Sequence, residues 1–292
     1  MDYSLALPML PADHFLPLAQ AAEAAGFTSI AVPESVFFPE DVSADYPYTT
    51  DGGRFWTPET PFLDPFVAIP AMAAVTERVK FFTNVLKLGI REPLLVAKTV
   101  SSAAALADGR VGLGIGLSWI PEEFEWLHMD KSTRGKRTDE AIAAIRAVMT
   151  GEMVEYHGKH VEFGRLMVRP VPQNPVPIYV GGLSGPGLKR AARLGDGWVS
   201  VANTLDEVAG VIPQLADLRE EFGTLHSTPS GGPFEVKALC TDAFDETGFG
   251  RMAEMGVTEA MVVPWFYRPG DTEALEHQVE SVTWFGDTYI TN

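Results

Sequence analysis

The segment from Gly181 to Gly187 has the composition of a backbone anion site. It reads GGLSGPG, with four glycines in seven residues, between an apolar run and an amphipathic run. Glycine lets a phosphate approach the backbone closely. The free N–H groups and the dipole at the start of a helix favour an anion. This pattern favours a phosphate site, with a plain connecting loop as the alternative.

Positive charge is concentrated in one segment of this acidic chain, at the start of a predicted helix. The residues concerned are Lys131, Arg134, Lys136 and Arg137. Cations at a helix N-terminus oppose the helix dipole, so stability does not favour this arrangement. The cluster indicates either an anionic ligand held there or a solvated charged end of the helix.

Carboxylates and histidines offer alternative chemistry. Barrels host glycosidases, which need a pair of carboxylic acids. Glu34 could form such a pair with one residue of the group Glu122, Glu123 and Glu125. Nothing in the spacing selects this chemistry, and a solvated face explains the second group better. His157 and His160 lack a third ligand nearby in the sequence, so no zinc site is predicted.

Alternating glycines at 112, 114 and 116 superficially resemble a dinucleotide-binding fingerprint. They lie inside a predicted strand instead of at a strand-to-helix turn, and the spacing is not GxGxxG. Glycine within a strand indicates close packing of another group against the backbone. We therefore predict close packing here, with Leu117, Ser118 and Trp119 just beyond it, where they could floor a planar ligand.

Apolar runs and amphipathic runs alternate along the whole chain. Eight predicted strands, each followed by a helix, favour parallel pairing with right-handed crossovers. That count predicts a single α/β domain over residues 1–292, a (β/α)8 TIM barrel. The predicted strands are 3–8, 28–33, 79–86, 111–117, 176–180, 197–201, 234–239 and 257–263. The predicted helices are 12–25, 64–75, 91–107, 133–149, 188–194, 206–222, 245–255 and 272–285.

Insertions are predicted after strand 2, after strand 4 and before strand 5. Residues 34–61 form a connection far longer than the usual 2–6 residues, at the barrel end where active sites are built. Residues 152–175 alternate around a glycine, which indicates a hairpin. The first insertion is rich in aromatic residues. They either form the binding wall for a small apolar or aromatic substrate or only pack the loop onto the barrel. These residues are Phe37, Phe38, Tyr46, Tyr48, Phe55 and Trp56.

Composition excludes several classes of partner. Of the 292 residues, 46 % are apolar, and 22 Lys and Arg stand against 39 Asp and Glu, a formal charge of −17. That charge repels nucleic acid and anionic lipid, and no apolar run reaches the length of a membrane helix. The single cysteine, Cys240, excludes an internal disulfide and is predicted to pack in the core. We expect a cytoplasmic protein.

Several segments together resemble the bacterial luciferase-like superfamily, specifically its coenzyme F420-dependent oxidoreductase branch. They follow the order of the family over most of residues 1–200, whereas the last third is similar only in its rhythm of strands and helices. The matching segments include NVLKLGIREP (84–93), DGRVGLGIGL (108–117), RGKRTDE (134–140), PIYVGG (177–182) and RAARLGDGW (190–198).

The resemblance implies a TIM barrel that binds coenzyme F420, or alternatively FMN, at its C-terminal mouth for hydride transfer. Asn84 and Val85 match a bulge, often with a cis peptide, that presses on one face of the ring. Leu117 and Ser118 match the opposite wall. The residues that match the phosphate contacts are Gly181, Gly182, Leu183 and Ser184. Arg137 is our best candidate for the anionic tail of F420, unless it pairs with a carboxylate such as Asp139 or Glu140.

One departure from the family concerns acid–base chemistry. Many relatives carry an Asp-His pair after strand 2, where this chain has Glu34 and Ser35. These two residues are the candidate catalytic residues, although a serine lacks the pKa of a histidine. The alternatives are an FMN-dependent luciferase-like monooxygenase and a catalytically silent flavin-binding paralogue. Trp119 stands where sugar-phosphate dehydrogenases of the family have Glu, which argues against that substrate class. A homodimer remains open.

Overall fold

A closed ring of eight parallel strands organises the part of the chain that the structure, a computed structural model, describes: residues 1–47, 49, 51–200 and 202–290. The strands are β1 (Asp2–Ala6), β2 (Ser29–Val32), β3 (Lys80–Thr83), β4 (Leu86–Lys87), β5 (Val111–Gly116), β6 (Val154–His157), β7 (Glu162–Leu166), β8 (Ile178–Gly181), β9 (Gly197–Val199), β10 (Glu235–Ala238) and β11 (Glu259–Val262). The ring runs β1-β2-β3-β5-β8-β9-β10-β11 and closes between β11 and β1. The short β4 continues the line of β3 and pairs with β5. The predicted TIM barrel is therefore confirmed.

Helices follow the barrel strands in the described residues. They are α1 (Phe15–Ala24), α2 (Pro65–Ala73), α3 (Pro93–Leu106), α4 (Pro121–Trp126), α5 (Arg134–Met149), α6 (Gly185–Leu194), α7 (Leu205–Glu221), α8 (Glu246–Met255) and α9 (Leu275–Phe285). Local signals set their ends. The side chain of Asp64 accepts a hydrogen bond from the Phe66 N–H at the start of α2, and Gly256 ends α8 at φ +101°.

The structure differs from the sequence prediction at three elements. The predicted strand 79–86 is split at Asn84 and Val85 into β3 and β4. Helix α6 begins at Gly185, three residues before the predicted start, because Ser184 caps it through the Gly187 N–H. Helix α4 was not predicted. Val201, the last residue of the predicted strand 197–201, and Tyr48, in the first insertion, lie outside the described residues.

The long connections lie between barrel elements. The described residues between β2 and α2 form no helix or strand, and α4 with a short 3₁₀ turn at Lys131–Thr133 lies between β5 and α5. Strands β6 and β7 pair as an antiparallel hairpin between α5 and β8. No helix in the described ranges is long and apolar enough to cross a membrane.

A buried ion pair lies inside the barrel. Lys237 on β10 is 3 % exposed and pairs with the Glu259 carboxylate on β11. Its ammonium group also lies 4.9 Å from the centre of the Phe82 ring on β3. Since β3 and β10 are not neighbours in the ring, these side chains meet inside the barrel. The hydroxyls of Ser4 and Ser29 donate to Glu259, so the buried carboxylate is fully partnered.

We expect Lys237→Met to destabilise the protein by about 3–5 kcal/mol, because the variant leaves the Glu259 charge buried without its cation. Urea denaturation followed by circular dichroism measures the free energy of unfolding. Lys189→Met on the exposed face of α6 is the matched control and should change stability by less than about 0.5 kcal/mol. Equal stability of the two variants would contradict a buried ion pair.

Glu140 on α5 fixes the turn of the β6–β7 hairpin. Its carboxylate accepts hydrogen bonds from the backbone N–H groups of His160, at 2.6 Å, and Val161, at 2.9 Å. Partial burial raises the pKa of the Glu140 carboxyl, but these backbone hydrogen bonds outweigh it and hold the pKa below its ordinary value. The ionised form therefore binds the hairpin more strongly than the protonated form.

This lowered pKa predicts how the stability depends on pH. A depressed folded-state pKa contributes stability above the ordinary Glu pKa of about 4.3, which is lost as the pH falls through the folded value. Glu140→Gln should therefore lower the melting temperature at pH 7, and the difference from wild type should shrink below about pH 4. Glu162→Gln, a carboxylate that is 76 % exposed on the same hairpin, is the control and should show no such trend.

Candidate cofactor and substrate site

The wall of the barrel mouth is shaped by a bulge that packs against glycines. The chain bulges between β3 and β4, where Asn84 and Val85 are joined by a cis peptide bond. A Cβ atom at Gly114 would lie 1.9 Å from the Thr83 carbonyl oxygen, and one at Gly116 would lie 2.8 Å from Val85 Cγ2. At Gly181 on β8 it would lie 3.4 Å from Val85 Cγ1. The glycines of β5 are therefore required for close packing, as the sequence predicted.

Asn84 carries a buried polar atom without a partner. Its side-chain oxygen has no hydrogen-bond donor among the described residues. The amide nitrogen is 3.5 Å from the sulfur of Met261 on β11, which lies across the interior of the barrel. An unsatisfied buried carbonyl is costly, so a water molecule or a ligand that donates a hydrogen bond to the Asn84 oxygen would remove that cost.

Leu117 and Ser118 follow β5 at the same end of the barrel. The carbonyl of Leu117 packs against Gly89, where a Cβ atom would lie 2.4 Å from its oxygen. Ser118 has φ +65°, and its hydroxyl donates to the Glu123 carboxylate at 2.5 Å. Glu123 also forms an ion pair with Lys87 on β4. This chain of polar contacts joins the wall after β5 to the bulge.

The expectation that the group of glutamates at 122–125 forms a solvated face is wrong for Glu123. That side chain is completely buried, since α4 turns it inward onto Lys87 and Ser118. Its neighbour Glu122 accepts a hydrogen bond at 2.9 Å from the Ser43 N–H in the first insertion. The acidic cluster thus fastens the mouth and the loop. No spacing rule predicted these partners, which come from distant parts of the chain.

The predicted catalytic pair lies at the end of β2. The Glu34 carboxylate pairs with Arg91 and accepts a hydrogen bond at 2.9 Å from the Lys87 N–H. These contacts occupy both of its oxygens. The hydroxyl of Ser35 has no hydrogen-bond partner among the described residues, and Ser35 is one of the residues that line a half-open pocket formed by the first insertion. A glycosidase needs a free acid, and Glu34 and Glu123 are both bound to cations.

The predicted phosphate segment forms a turn between β8 and α6. Gly182 has φ +112° and open space where a Cβ atom would be. Its carbonyl accepts a hydrogen bond at 3.0 Å from the buried Trp198 indole, which fixes the turn. Leu183 and Ser184 are exposed residues, and their backbone N–H groups have no hydrogen-bond acceptor among the described residues. The local geometry suits an anion.

The basic cluster lies at the start of α5. Arg137 donates from Nη1 to the Asp130 carbonyl at 2.9 Å and to the Thr133 hydroxyl at 2.7 Å. From Nη2 it donates to the Gly89 carbonyl at 2.5 Å, beside Leu117. Arg137 thus lies at the mouth and does not pair with Asp139 or Glu140. Burial lowers the pKa of the Arg137 guanidinium from its ordinary value. The negative charges of Asp130 and Glu92 raise this pKa, but by less than burial lowers it.

The other three cations of the cluster are less constrained. Lys136 is exposed, whereas Lys131 and Arg134 are half-buried. A neighbouring contact joins the two helices that follow β5 and β8, because Arg190 on α6 donates to the Gly135 carbonyl at 3.0 Å. The basic start of α5 and the turn before α6 therefore lie on adjacent helices at one end of the barrel.

Aromatic side chains hold the first insertion against the mouth. The Tyr46 ring, 8 % exposed, lies 5.0 Å from the Trp56 ring and 5.3 Å from the Trp119 ring, centre to centre. Phe37 stacks on Trp126 of α4 at 5.6 Å. A half-open pocket of about 180 Å³ lies beside this packing and is lined in part by Phe37, Phe38 and Trp56. The aromatics therefore attach the loop to the barrel, and three of them also line this pocket.

This chain belongs to the luciferase-like monooxygenase family, whose model matches residues 4–230. An uncharacterized protein of Mycobacterium tuberculosis is 40 % identical over 293 residues, with 99 % of each chain covered. The F420-dependent glucose-6-phosphate dehydrogenase of Beutenbergia cavernae is 33 % identical over 204 residues, or 67 % of this chain. The match spans 55 % of that enzyme's own length.

Solved structures show the same fold at lower identity. An F420-dependent secondary alcohol dehydrogenase superposes with a TM-score of 0.74 and 18 % identity, covering 98 % of this chain and 97 % of that one. A monooxygenase from Streptomyces bottropensis gives a TM-score of 0.72 and 18 % identity, with 99 % of each chain covered. The family that the sequence resembled is confirmed, and it is a family of oxidoreductases and monooxygenases.

The sequence pattern pointed to neither Lys87 nor Arg91, and it placed Glu123 in a glutamate group on a solvated face. Their charges pair across the mouth, Lys87 with Glu123 and Arg91 with Glu34. Lys87 is paired in register with the interior-facing Gly116, but the predicted strand ended at residue 86, so strand alternation in the sequence did not reach it. A lysine on the interior face of a barrel strand requires a buried partner.

We expect Gly114→Ala to destabilise the protein by about 1–3 kcal/mol or more, because its Cβ atom would displace the Thr83 carbonyl and with it the bulge. Thermal unfolding measures the loss. Gly164→Ala on β7 is the matched control, since nothing lies within 4 Å of the added Cβ atom. A melting temperature for Gly114→Ala equal to that of the control would show that the bulge is free to move.

Proposed function

We propose that this protein is a coenzyme F420-dependent oxidoreductase that transfers a hydride between the deazaflavin and a small organic substrate. The observation that carries the proposal is the wall at the barrel mouth, where the buried, unpartnered oxygen of Asn84 lies beside Val85. The relatives support the choice of cofactor, because sequence similarity reaches an F420-dependent dehydrogenase at 33 % identity.

The residues present fit such a cofactor. Val85 packed on Gly116 supplies an apolar face for a planar ring, and the Asn84 oxygen supplies an acceptor for a ring N–H. The N–H groups of Leu183 and Ser184, with Gly181 and Gly182 giving close approach, would hold the phosphate. When bound, the deazaflavin supplies the hydride chemistry, and the protein positions both reactants.

Arg137 would bind the anionic tail. The tail of F420 carries a phosphodiester and glutamate, so it is more anionic than FMN, and a protein of net charge −17 repels it elsewhere. The contacts of Arg137 to three neutral acceptors fix its guanidinium but neutralise none of its charge. The remaining N–H groups stay available for a charge-assisted hydrogen bond.

Glu34 and Ser35 take different roles in this proposal. Glu34 is held between Arg91 and the Lys87 N–H, so both of its oxygens are engaged and it acts as a positioning residue. Ser35 keeps a free hydroxyl beside the substrate cavity, where it orients a substrate oxygen. The substrate is small and apolar or aromatic, and the protein has neither nucleic acid nor membrane as a partner.

Cofactor titration tests the proposal and the role of Arg137 together. F420 added to the purified protein should quench its fluorescence on binding, while FMN at the same concentration should not. Arg137→Ala should weaken F420 binding about ten- to a hundredfold, since a charge-assisted hydrogen bond contributes roughly 1.5–3 kcal/mol.

Lys80→Ala, at an exposed position at the start of β3 and outside the basic cluster, is the control and should change F420 binding by less than about threefold. Tight binding of FMN without F420 binding would replace the proposal with an FMN-dependent monooxygenase. An unchanged F420 affinity with a lowered melting temperature would assign Arg137 to structure. Cofactor binding without turnover across carbonyl, enone and imine acceptors would favour a silent flavin-binding paralogue.

A further inference from the structure

We infer that Glu123 is a positioning residue of the cofactor site, which holds Ser118 and the backbone beside it in the shape that a bound ring meets at the barrel mouth. The inference rests on the proposed function for the identity of the ring, whereas the contacts of Glu123 belong to the protein alone. The carboxylate is completely buried on α4 and joins two strand ends of the mouth.

The backbone at Ser118 has a conformation that a residue with a side chain rarely adopts. Its φ of +65° lies in the left-handed region, where a Cβ atom crowds the neighbouring backbone and glycine is favoured. Two contacts of the hydroxyl oppose this cost: it donates to the Glu123 carboxylate at 2.5 Å and accepts from the Ile120 N–H at 3.2 Å. Because a hydrogen bond to a carboxylate is stronger than one between neutral groups, Glu123 supplies the larger part.

Glu123 is itself held in one orientation, so it can fix Ser118. Its Oε2 accepts the hydrogen bond from Ser118, and its Oε1 pairs with the Lys87 ammonium group. Lys87 lies on β4 in register with Gly116, the last residue of β5. The carboxylate therefore ties the end of β4 to the residues that follow β5.

The conformation of Ser118 sets the shape of the backbone on both sides of it. The Leu117 carbonyl packs so closely on Gly89 that a Cβ atom there would lie 2.4 Å from its oxygen. On the other side, the Trp119 ring lies 5.3 Å from the Tyr46 ring of the first insertion, centre to centre. If Ser118 leaves the left-handed region, one of these packed neighbours must move, and the wall that continues β5 changes shape.

A wall that is fixed before the ligand arrives binds a rigid ring without the cost of ordering that wall. Loss of the acceptor for the Ser118 hydroxyl should therefore weaken ring binding, although the completely buried side chain of Glu123 has no surface to offer a ligand. The alternative is that Glu123 only neutralises Lys87 and stabilises the fold. The two roles are separable, because Lys87 and Ser118 bind different oxygens of the carboxylate.

Two double variants separate the contact with Ser118 from the ion pair. Lys87→Met/Glu123→Gln, the acceptor-retaining variant, removes both charges and keeps an amide oxygen that can accept from the Ser118 hydroxyl. Lys87→Met/Glu123→Met, the acceptor-free variant, removes the charges and the acceptor with a side chain of similar size. Neither variant leaves a buried charge unpaired. In fluorescence titrations we expect the acceptor-free variant to bind F420 about two- to tenfold more weakly than the acceptor-retaining variant, the effect of one hydrogen bond.

Ser118→Ala shows whether that difference depends on the hydroxyl. Added to both double variants, it should make their F420 affinities equal, because the group that distinguishes them is gone. A difference of the same size that persists without the hydroxyl would overturn the inference. Glu125→Gln, exposed on the same helix, is the control and should change F420 binding by less than about threefold.

Two single variants test the conformation of the backbone with the buried ion pair intact. Ser118→Gly and Ser118→Ala both remove the hydroxyl, but glycine adopts φ +65° without the steric cost that alanine meets. We expect Ser118→Gly to bind F420 about three- to tenfold more tightly than Ser118→Ala. Equal affinities, or tighter binding by Ser118→Ala, would contradict the role of this conformation and overturn the inference.

Parallel titrations with FMN keep the inference distinguishable from the proposed function. FMN binding without F420 binding would disprove the cofactor assignment, and the same differences between the variants, now in FMN affinity, would support the role of Glu123. F420 binding with equal affinity in the two double variants would disprove that role and leave the cofactor assignment in place. Wild-type protein that binds neither ring would overturn both.

Discussion

The close approach of one backbone segment to a strand of glycines is the constraint on which the mouth of this barrel depends. The bulge at residues 83–85 occupies the space where side chains of β5 would otherwise lie, since a Cβ atom at Gly114 would fall 1.9 Å from the Thr83 oxygen. Only glycine has no Cβ atom, so Gly114 and Gly116 let the bulge sit inside the barrel wall. Val85 and the unpartnered oxygen of Asn84 are presented to the interior as a result.

Paired charges then fix the loops around this wall. Glu123 joins Lys87 to Ser118, and Glu34 joins Arg91 to the backbone of Lys87. Each carboxylate carries a cation and a further hydrogen bond, which is the condition under which buried charge is tolerated. Because these pairs come from three different strand ends, they couple the position of the bulge to that of the first insertion.

The interior of the barrel is divided by chemistry along its axis. One part of the interior contains Lys237, Glu259 and the ring of Phe82, and there the charges of Lys237 and Glu259 are paired with each other. The part at the barrel mouth is lined by glycines, Val85 and Asn84, and the side-chain oxygen of Asn84 has no hydrogen-bond donor among the described residues. The chain has a net charge of −17, so the positive charge of Arg137, beside Gly89 and Leu117, contrasts with the negative charge of the protein as a whole.

The sequence alone determined the barrel, because strands and helices follow from local periodicity and from end signals such as Asp64 and Gly256. It also located the glycine turn before α6 and the close packing of β5. The tertiary structure decided the partners of charged groups. Glu123 was expected in solvent and is buried, because its cation lies 36 residues earlier in the chain and only barrel closure brings the two together. Local spacing carries no information about such pairs, because it does not show which distant segments the closed barrel brings together.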